Sequence, residues 1–252
     1  MTENLDKQFA DLQQILANQK TLGKRFLWLL IVPFVLTALM LIALFFLTQR
    51  VTDVEALAKR IDIDRYLQLE GNYAWAVRGY EEIVKTHPTS EILARLGLLY
   101  FQADPKKNEK IAIATLERAR LLDSNNWALF RSLGYIYTAI KEPKKAIEAG
   151  QKALALNNLD SGTYNNLAWT YATAEDNDLR DLQSAETYAL KAIELTQNRQ
   201  AEYFDTLAQV YVEKGDRDRA VQAFRRAIAL GSGADRLNYQ ERLKKYFPDE
   251  KL

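Results

Sequence analysis

Three regimes of hydrophobic patterning follow one another along the chain. In residues 1–25, Leu5, Phe9, Leu12 and Leu16 recur at intervals of 4, 3 and 4, with Glu3, Asp6, Lys7, Asp11 and Gln13 between them. That spacing puts one apolar stripe on a polar helix. The stripe suits a helix lying on a membrane surface, or a short seam for self-association or a partner helix. Two heptads fall short of the three or four a coiled coil needs, which favours the surface reading. From Phe26 to Leu47 the sequence is FLWLLIVPFVLTALMLIALFFL, 22 residues without a charge. At about 1.5 Å per residue this predicts a helix that just spans the roughly 30 Å hydrocarbon layer. A cleaved signal peptide fits less well, because its apolar region is about 7–15 residues and a small-x-small site follows it. Trp28 stands where interfacial aromatics do, and Pro33 is expected to kink the span near its start. Beyond residue 48 the apolar positions return in short helical blocks, with residues 48–56 forming a linker or a continuation of the span.

The flanking charges bear on orientation. Lys7, Lys20, Lys24 and Arg25 precede the span; Arg50, Lys59, Arg60 and Arg65 follow it. The Lys24-Arg25 pair abuts the span on one side and Arg50 stands alone on the other, so the positive-inside rule points to a cytoplasmic N-terminus. The rest of the chain would then lie outside the cytoplasm.

Residues 57–233 repeat. Leu96-Gly97 with Tyr100, Leu133-Gly134 with Tyr137, Leu167-Ala168 with Tyr171 and Leu207-Ala208 with Tyr211 mark a first helix in each copy. A second signature follows each: Ala112/Leu116/Ala119, Ala146/Gly150/Ala153, Ala185/Ala189/Ala192 and Ala220/Phe224/Ala227. An earlier, weaker copy carries Gly71, Ala76, Tyr80, Ile83 and Pro88. Small residues on the first helix allow close approach, and the Ala positions give the second helix a single apolar stripe. Such a pair buries its face only by stacking on a neighbour.

With a period near 34 residues, these positions resemble the tetratricopeptide repeat. The resemblance implies an all-α chain in which the N-terminal transmembrane helix leads into a right-handed α-solenoid. Five helix pairs are expected, at 57–89, 90–126, 127–160, 161–200 and 201–233, followed by a capping helix and tail over 234–252. In the first pair Asp64 and Leu67 stand where the family prefers Gly and Tyr, so its first helix departs from the pattern. It is alternatively a continuation of the membrane helix through Val51, Val54, Ala58 and Ile61. The cap is expected from Asp235 to Phe247, burying Leu237, Leu243 and Phe247. Two inter-helix turns carry insertions, at Asp104–Lys110 and Glu175–Leu182, which are expected as loops.

Chemistry for catalysis is sparse. The 252 residues contain one His and no Cys, which excludes disulfides, thiolate metal sites and cysteine nucleophiles. His87 precedes Pro88 in an expected turn with no accompanying motif. Gly231-Ser232-Gly233 lacks the strand and third Gly of a phosphate loop. Asp176, Asp178 and Asp181 lack the Gly and distal Glu of a calcium loop and enclose Arg180. An enzyme, a cofactor and a resident metal are therefore not expected. Charge argues the same way for nucleic acid: 34 Lys and Arg balance 33 Asp and Glu, leaving no long-range attraction. The C-terminal Arg217, Arg219, Arg225, Arg226, Arg236, Arg242, Lys244 and Lys245 are interleaved with acids and read as a solvated face.

Recognition is the remaining class. In tetratricopeptide solenoids the first helices line the concave face. The resemblance implies that Arg95, Leu98 and Gln102, then Arg131, Ser132 and Tyr135, then Asn165, Asn166, Trp169 and Thr173, and finally Asp205, Thr206 and Gln209 point into the groove. Amides, guanidinium groups and large aromatics suit an extended peptide; the alternative is a solvated face with Tyr135 and Trp169 packed between helices. A clamp for an acidic chaperone tail is not expected, because Arg65, Leu98, Tyr135, Trp169 and Gln209 occupy its positions. The chain thus resembles single-pass bacterial tetratricopeptide proteins of the inner membrane. It is expected to be a scaffold or adaptor that binds a protein partner and assists assembly, maturation or stability of an envelope complex. The alternatives are a permanent structural subunit of a membrane complex and a cytoplasmic docking receptor.

Overall fold

The computed structural model describes residues 2–251, with backbone only at 2–10, 12, 16, 20–27, 29 and 30. The chain divides into two compact units, Met1–Ala58 and Lys59–Leu252.

The first unit is helical, formed by the leading part of α1 (Thr2–Glu70). From Ile31 onward it has a stretch long and apolar enough, by length and composition, to cross a membrane. Side chains from Ile31 to Arg50 are exposed, Ala38 alone being partly covered. The hydroxyls of Thr37, Thr48 and Thr52 donate to the carbonyls of Phe34, Phe45 and Gln49, each at 2.8 Å. Turned back on their own helix, these groups need no water, as an apolar surrounding requires. Pro33 lies inside α1 without ending it. In the expected leader stripe, the side chains of Leu5, Phe9, Leu12 and Leu16 lie outside the described residues. The segment 48–56 is helix rather than linker, since α1 continues through it.

The second unit is all helical among its described residues. It contains the last turns of α1 and then α2 (Tyr73–Thr86), α3 (Ser90–Ala103), α4 (Pro105–Leu122), α5 (Trp127–Ala139) and α6 (Pro143–Leu156). These are followed by α7 (Ser161–Thr173), α8 (Leu182–Leu195), α9 (Ala201–Glu213), α10 (Arg217–Leu230) and α11 (Gly233–Tyr246). The starts are written in the sequence. Side chains of Asn72, Thr89, Asp104, Asn126, Asp160, Asp181 and Asp216 each accept from a backbone N–H of the first turn they open. Each satisfies a donor the helix itself leaves unpaired. Pro105 and Pro143 occupy first-turn positions, where a missing N–H costs nothing.

Helices pair as α3 with α4, α5 with α6, α7 with α8 and α9 with α10, while α3, α5, α7 and α9 also pack on one another in succession. This is the tetratricopeptide solenoid arrangement. The alternation follows from where the small residues sit. A Cβ at Gly97 would lie 2.7 Å from Leu116 Cγ, and one at Gly150 would lie 2.6 Å from Leu167 Cδ2. At Gly134 the nearest atom would be the Ala146 carbonyl oxygen at 3.5 Å, an ordinary contact. The Ala positions of the second signature, Ala112, Ala119, Ala146, Ala153, Ala185, Ala189, Ala192, Ala220 and Ala227, are all buried. Copies are also tied laterally through the signature Tyr: Tyr100 donates to Glu81 at 2.7 Å and Tyr211 to Glu186 at 3.1 Å. Glu186 further holds Lys214 and Arg219, whose cations keep its carboxyl below the usual range.

At the family-divergent position Asp64, the carboxylate accepts from Tyr80 Oη at 2.9 Å and from both Nε and Nη2 of Arg95. These contacts tie the end of α1 to α2 and α3. Burial and the neighbouring Asp64 carboxylate raise the Tyr80 phenol well above its usual range.

Three expectations are corrected. Residues 104–110 do not form a loop: Asp104 caps α4 and Pro105 begins it, so the insertion lengthens that helix to 18 residues. The capping helix buries Tyr239 and Leu243, while Leu237 is 60% exposed. Its docking stripe therefore runs through 239, 243 and the adjoining Tyr246 and Phe247. The basic C-terminal residues are not a uniformly solvated face either, because Arg242 turns inward onto α9.

Candidate functional site

Helices α5, α7 and α9 stand side by side, and with α11 they enclose a cleft of about 740 Å³. Of the residues expected in the groove, Tyr135, Asn165, Asn166, Trp169, Thr173, Asp205 and Thr206 line it. The reason is helical periodicity: 165, 166, 169 and 173 share one face of α7, and 202, 205 and 206 share one face of α9.

Arg95, Leu98, Gln102, Arg131, Ser132 and Gln209 lie outside the cleft lining. Arg95 is held on Asp64. Leu98 and Gln102 lie part-buried on α3, and Gln102 Oε1 is buried without a described partner. Arg131 donates to Asp160 at 3.1 Å and sits over the Trp127 ring. The Ser132 hydroxyl donates to the Ala128 carbonyl. Gln209 Oε1 accepts from Arg242 Nη2 at 2.6 Å and from Tyr246 Oη at 3.0 Å. These six are occupied by the fold or packed into it.

Among the cleft residues that sequence reasoning did not place there are the charged Arg242 and Glu202. Arg242 pairs with Asp205 and Gln209, and its guanidinium lies 5.1 Å from the Trp169 ring centroid. The cap thus closes one end of the cleft with its own cation. Glu202, one turn before Asp205 on the same face, is solvent-accessible yet surrounded by the cleft walls. Burial, then the nearby Asp235, raises its carboxyl above the usual range. Its periodicity with Asp205 was the available signal.

The electrostatics of this end are unusual for carboxylates. Asp205 is 8% exposed. Burial raises it from 3.8 to about 6, outweighing the lowering by Arg242, with Glu202 adding to the rise. Its second oxygen, Oδ1, is buried and lacks a partner among the described residues, and Asn165 Oδ1 is in the same condition. The opposite rim is formed by the α5–α6 and α7–α8 turns, where Lys141 and Glu175 pair at 2.7 Å on open surface. The acidic insertion is used structurally: Asp176 turns back to accept from its own loop and Asp181 caps α8. Nothing in this arrangement sets a nucleophile beside a base; it offers an aromatic wall, amides and partly unsatisfied acceptors, which is the composition of a recognition surface.

Comparison with known proteins agrees with the geometry. Residues 201–230 match the family model described as tetratricopeptide repeat. Among curated protein sequences none matches this chain. Among solved structures, it resembles a thermophilic tetratricopeptide protein of Thermus thermophilus, with a TM-score of 0.64 and 16% identity over 77% of this chain and 99% of that one. It also resembles PilF of Pseudomonas aeruginosa, with a TM-score of 0.57 and 17% identity over 79% and 95%. A chain of the APC/C hetero-tetramer Cut9–Hcn1 aligns with a TM-score of 0.60 and 19% identity over 73% of this chain and 35% of that one. Residues 201–230 thus match one tetratricopeptide repeat, and the helical array as a whole has the fold of tetratricopeptide solenoids.

Proposed function

We propose that the protein is a membrane-anchored scaffold that binds a protein partner in the cleft between α5, α7, α9 and α11 and supports assembly or stability of a membrane or envelope complex. The observation that carries this reading is the cleft itself. It has peptide-sized volume, Tyr135 and Trp169 on its walls, and buried acceptors that the fold leaves unpaired. Buried polar atoms are almost always satisfied, so unpaired ones lining an open cleft favour a ligand that completes them. Among the described residues no constellation for catalysis competes with this use. The apolar stretch of α1 supports anchoring, and the Lys24-Arg25 pair supports a cytoplasmic N-terminus with the solenoid on the far side. The domain division follows as 1–25, 26–47, 48–56, 57–233 and 234–252.

The reading is tested by capture of the tagged full chain in mild detergent beside the double variant Asn166→Ala/Trp169→Ala. Loss of a defined partner, by about 2–4 kcal/mol of binding energy with the helical signal intact, is expected. Equal capture by wild type and variant would remove the cleft as the site. A second reading, a permanent subunit, is favoured by leucines left in water outside the cleft, Leu121 at 84% and Leu159 at 70% exposure. Fixed stoichiometry with defined subunits would select it, and varied substoichiometric clients would select the adaptor.

A further inference from the structure

The unsatisfied atoms in the cleft share one sign. Asn165 Oδ1 and Asp205 Oδ1 are both acceptors and both buried without a described partner. Glu202, exposed to the cleft on the same face of α9, adds a carboxylate near enough to raise the Asp205 carboxyl. The guanidinium of Arg242 answers only one oxygen of this group, Asp205 Oδ2. At the α9 end the cleft therefore offers more acceptors and more negative charge than the protein itself neutralises. Beside them stands Trp169, an aromatic wall of the kind that packs alkyl stems and faces cations.

A neutral peptide would desolvate Glu202 without pairing it and leave Asp205 Oδ1 unsatisfied. An acidic one would add like charge to Glu202 and Asp205, which disfavours binding. Only a donor-rich cation completes the set: it supplies N–H groups to Asn165 and Asp205 and charge to Glu202. We propose that this end of the cleft receives one basic side chain, lysine or arginine, from an extended segment of the partner protein, with its cation among Asn165, Glu202 and Asp205 and its stem against Trp169. The proposal rests on the cleft being the partner site.

The test uses the full chain in detergent micelles and arrays of N-acetylated, C-amidated decapeptides, followed by anisotropy titrations of the strongest binder. One position is expected to demand Lys or Arg, and its replacement by norleucine to weaken binding about 30-fold, as for a desolvated charge lost at an interface. Glu202→Gln should weaken the lysine peptide about tenfold and leave the norleucine peptide unchanged, which a merely structural role would not produce. Peptides that lose affinity on Tyr135→Ala yet tolerate norleucine, or prefer glutamate, would overturn this inference and leave the cleft as a binding site. Failure of any peptide to bind, or binding indifferent to Tyr135→Ala, would overturn both.

Discussion

Arg242→Ala tests how the cap is held, because Arg242 ties α11 to the groove face of α9 through a charged contact. The substitution removes its ion pair with Asp205, its hydrogen bond to Gln209 and its place over the rings of Trp169 and Phe224. At pH 8 it leaves a buried carboxylate alone. Breaking a buried pair from one side costs about 3–5 kcal/mol. The pH dependence separates this cause from simple loss of packing. Asp205 is raised from 3.8 to about 6 in the folded protein. Its ionised form is thus disfavoured by folding, and the cost, about 3 kcal/mol at roughly 1.4 kcal/mol per unit, is present above pH 6. As pH falls toward 4 the folded protein takes up the proton and the cost disappears. Without Arg242 the same carboxyl moves higher still, so the variant suffers most at alkaline pH. At pH 4.5 Asp205 is neutral in both folded proteins, and only packing and neutral hydrogen bonds, about 1–2 kcal/mol, remain to be lost. The measurement is native-state hydrogen exchange of α11 amides and urea unfolding by circular dichroism, in detergent, from pH 4.5 to 8. A penalty that does not change across pH 6, or one that Asp205→Asn fails to reduce at pH 8, would refute the account.

Other outcomes follow from single positions. Gly97→Ala should destabilise by about 1–3 kcal/mol, since its Cβ would meet Leu116 at 2.7 Å. Gly134→Ala, with 3.5 Å of clearance, should instead stabilise by about 0.5–1 kcal/mol in urea unfolding through helix propensity. Lys141 holds φ 62° in the α5–α6 turn, the same left-handed position that Gly215 fills at φ 72° after α9. Lys141→Gly should therefore stabilise by about 0.5–1 kcal/mol in thermal or urea unfolding, as its exposed pair with Glu175 contributes little. Asp160→Ala removes the cap of α7, accepting from the N–H and hydroxyl of Thr163, together with the partner of Arg131. A loss of about 2 kcal/mol in the same assay is expected.

How far the site could be read in advance is visible in particular residues. Asn165, Asn166, Trp169 and Thr173 come together because one helix face brings them together, and periodicity is a local property of sequence. Arg95 and Arg131 bear the same kind of sequence signal yet are absorbed by Asp64 and Asp160, partners 31 and 29 residues away. Arg242 was invisible for the converse reason. On an amphipathic cap rich in cations, nothing local says which one turns inward, and the inward one is set by the register in which Tyr239 and Leu243 dock.

The sequence by itself determined the helical repeat: Leu-Gly and Tyr on first helices, Ala stripes on second helices, and Asn, Asp or Thr caps at their starts all act within one turn or one pair. It also determined the uncharged run from Phe26 to Leu47. Tertiary structure alone decided which polar groups are consumed and which are left over, that residues 104–110 extend α4, and that the cap closes the cleft with a guanidinium. Those outcomes depend on distances between residues far apart in the chain, where burial changes the energy of a charge and a pattern along one helix carries no record of what it will face.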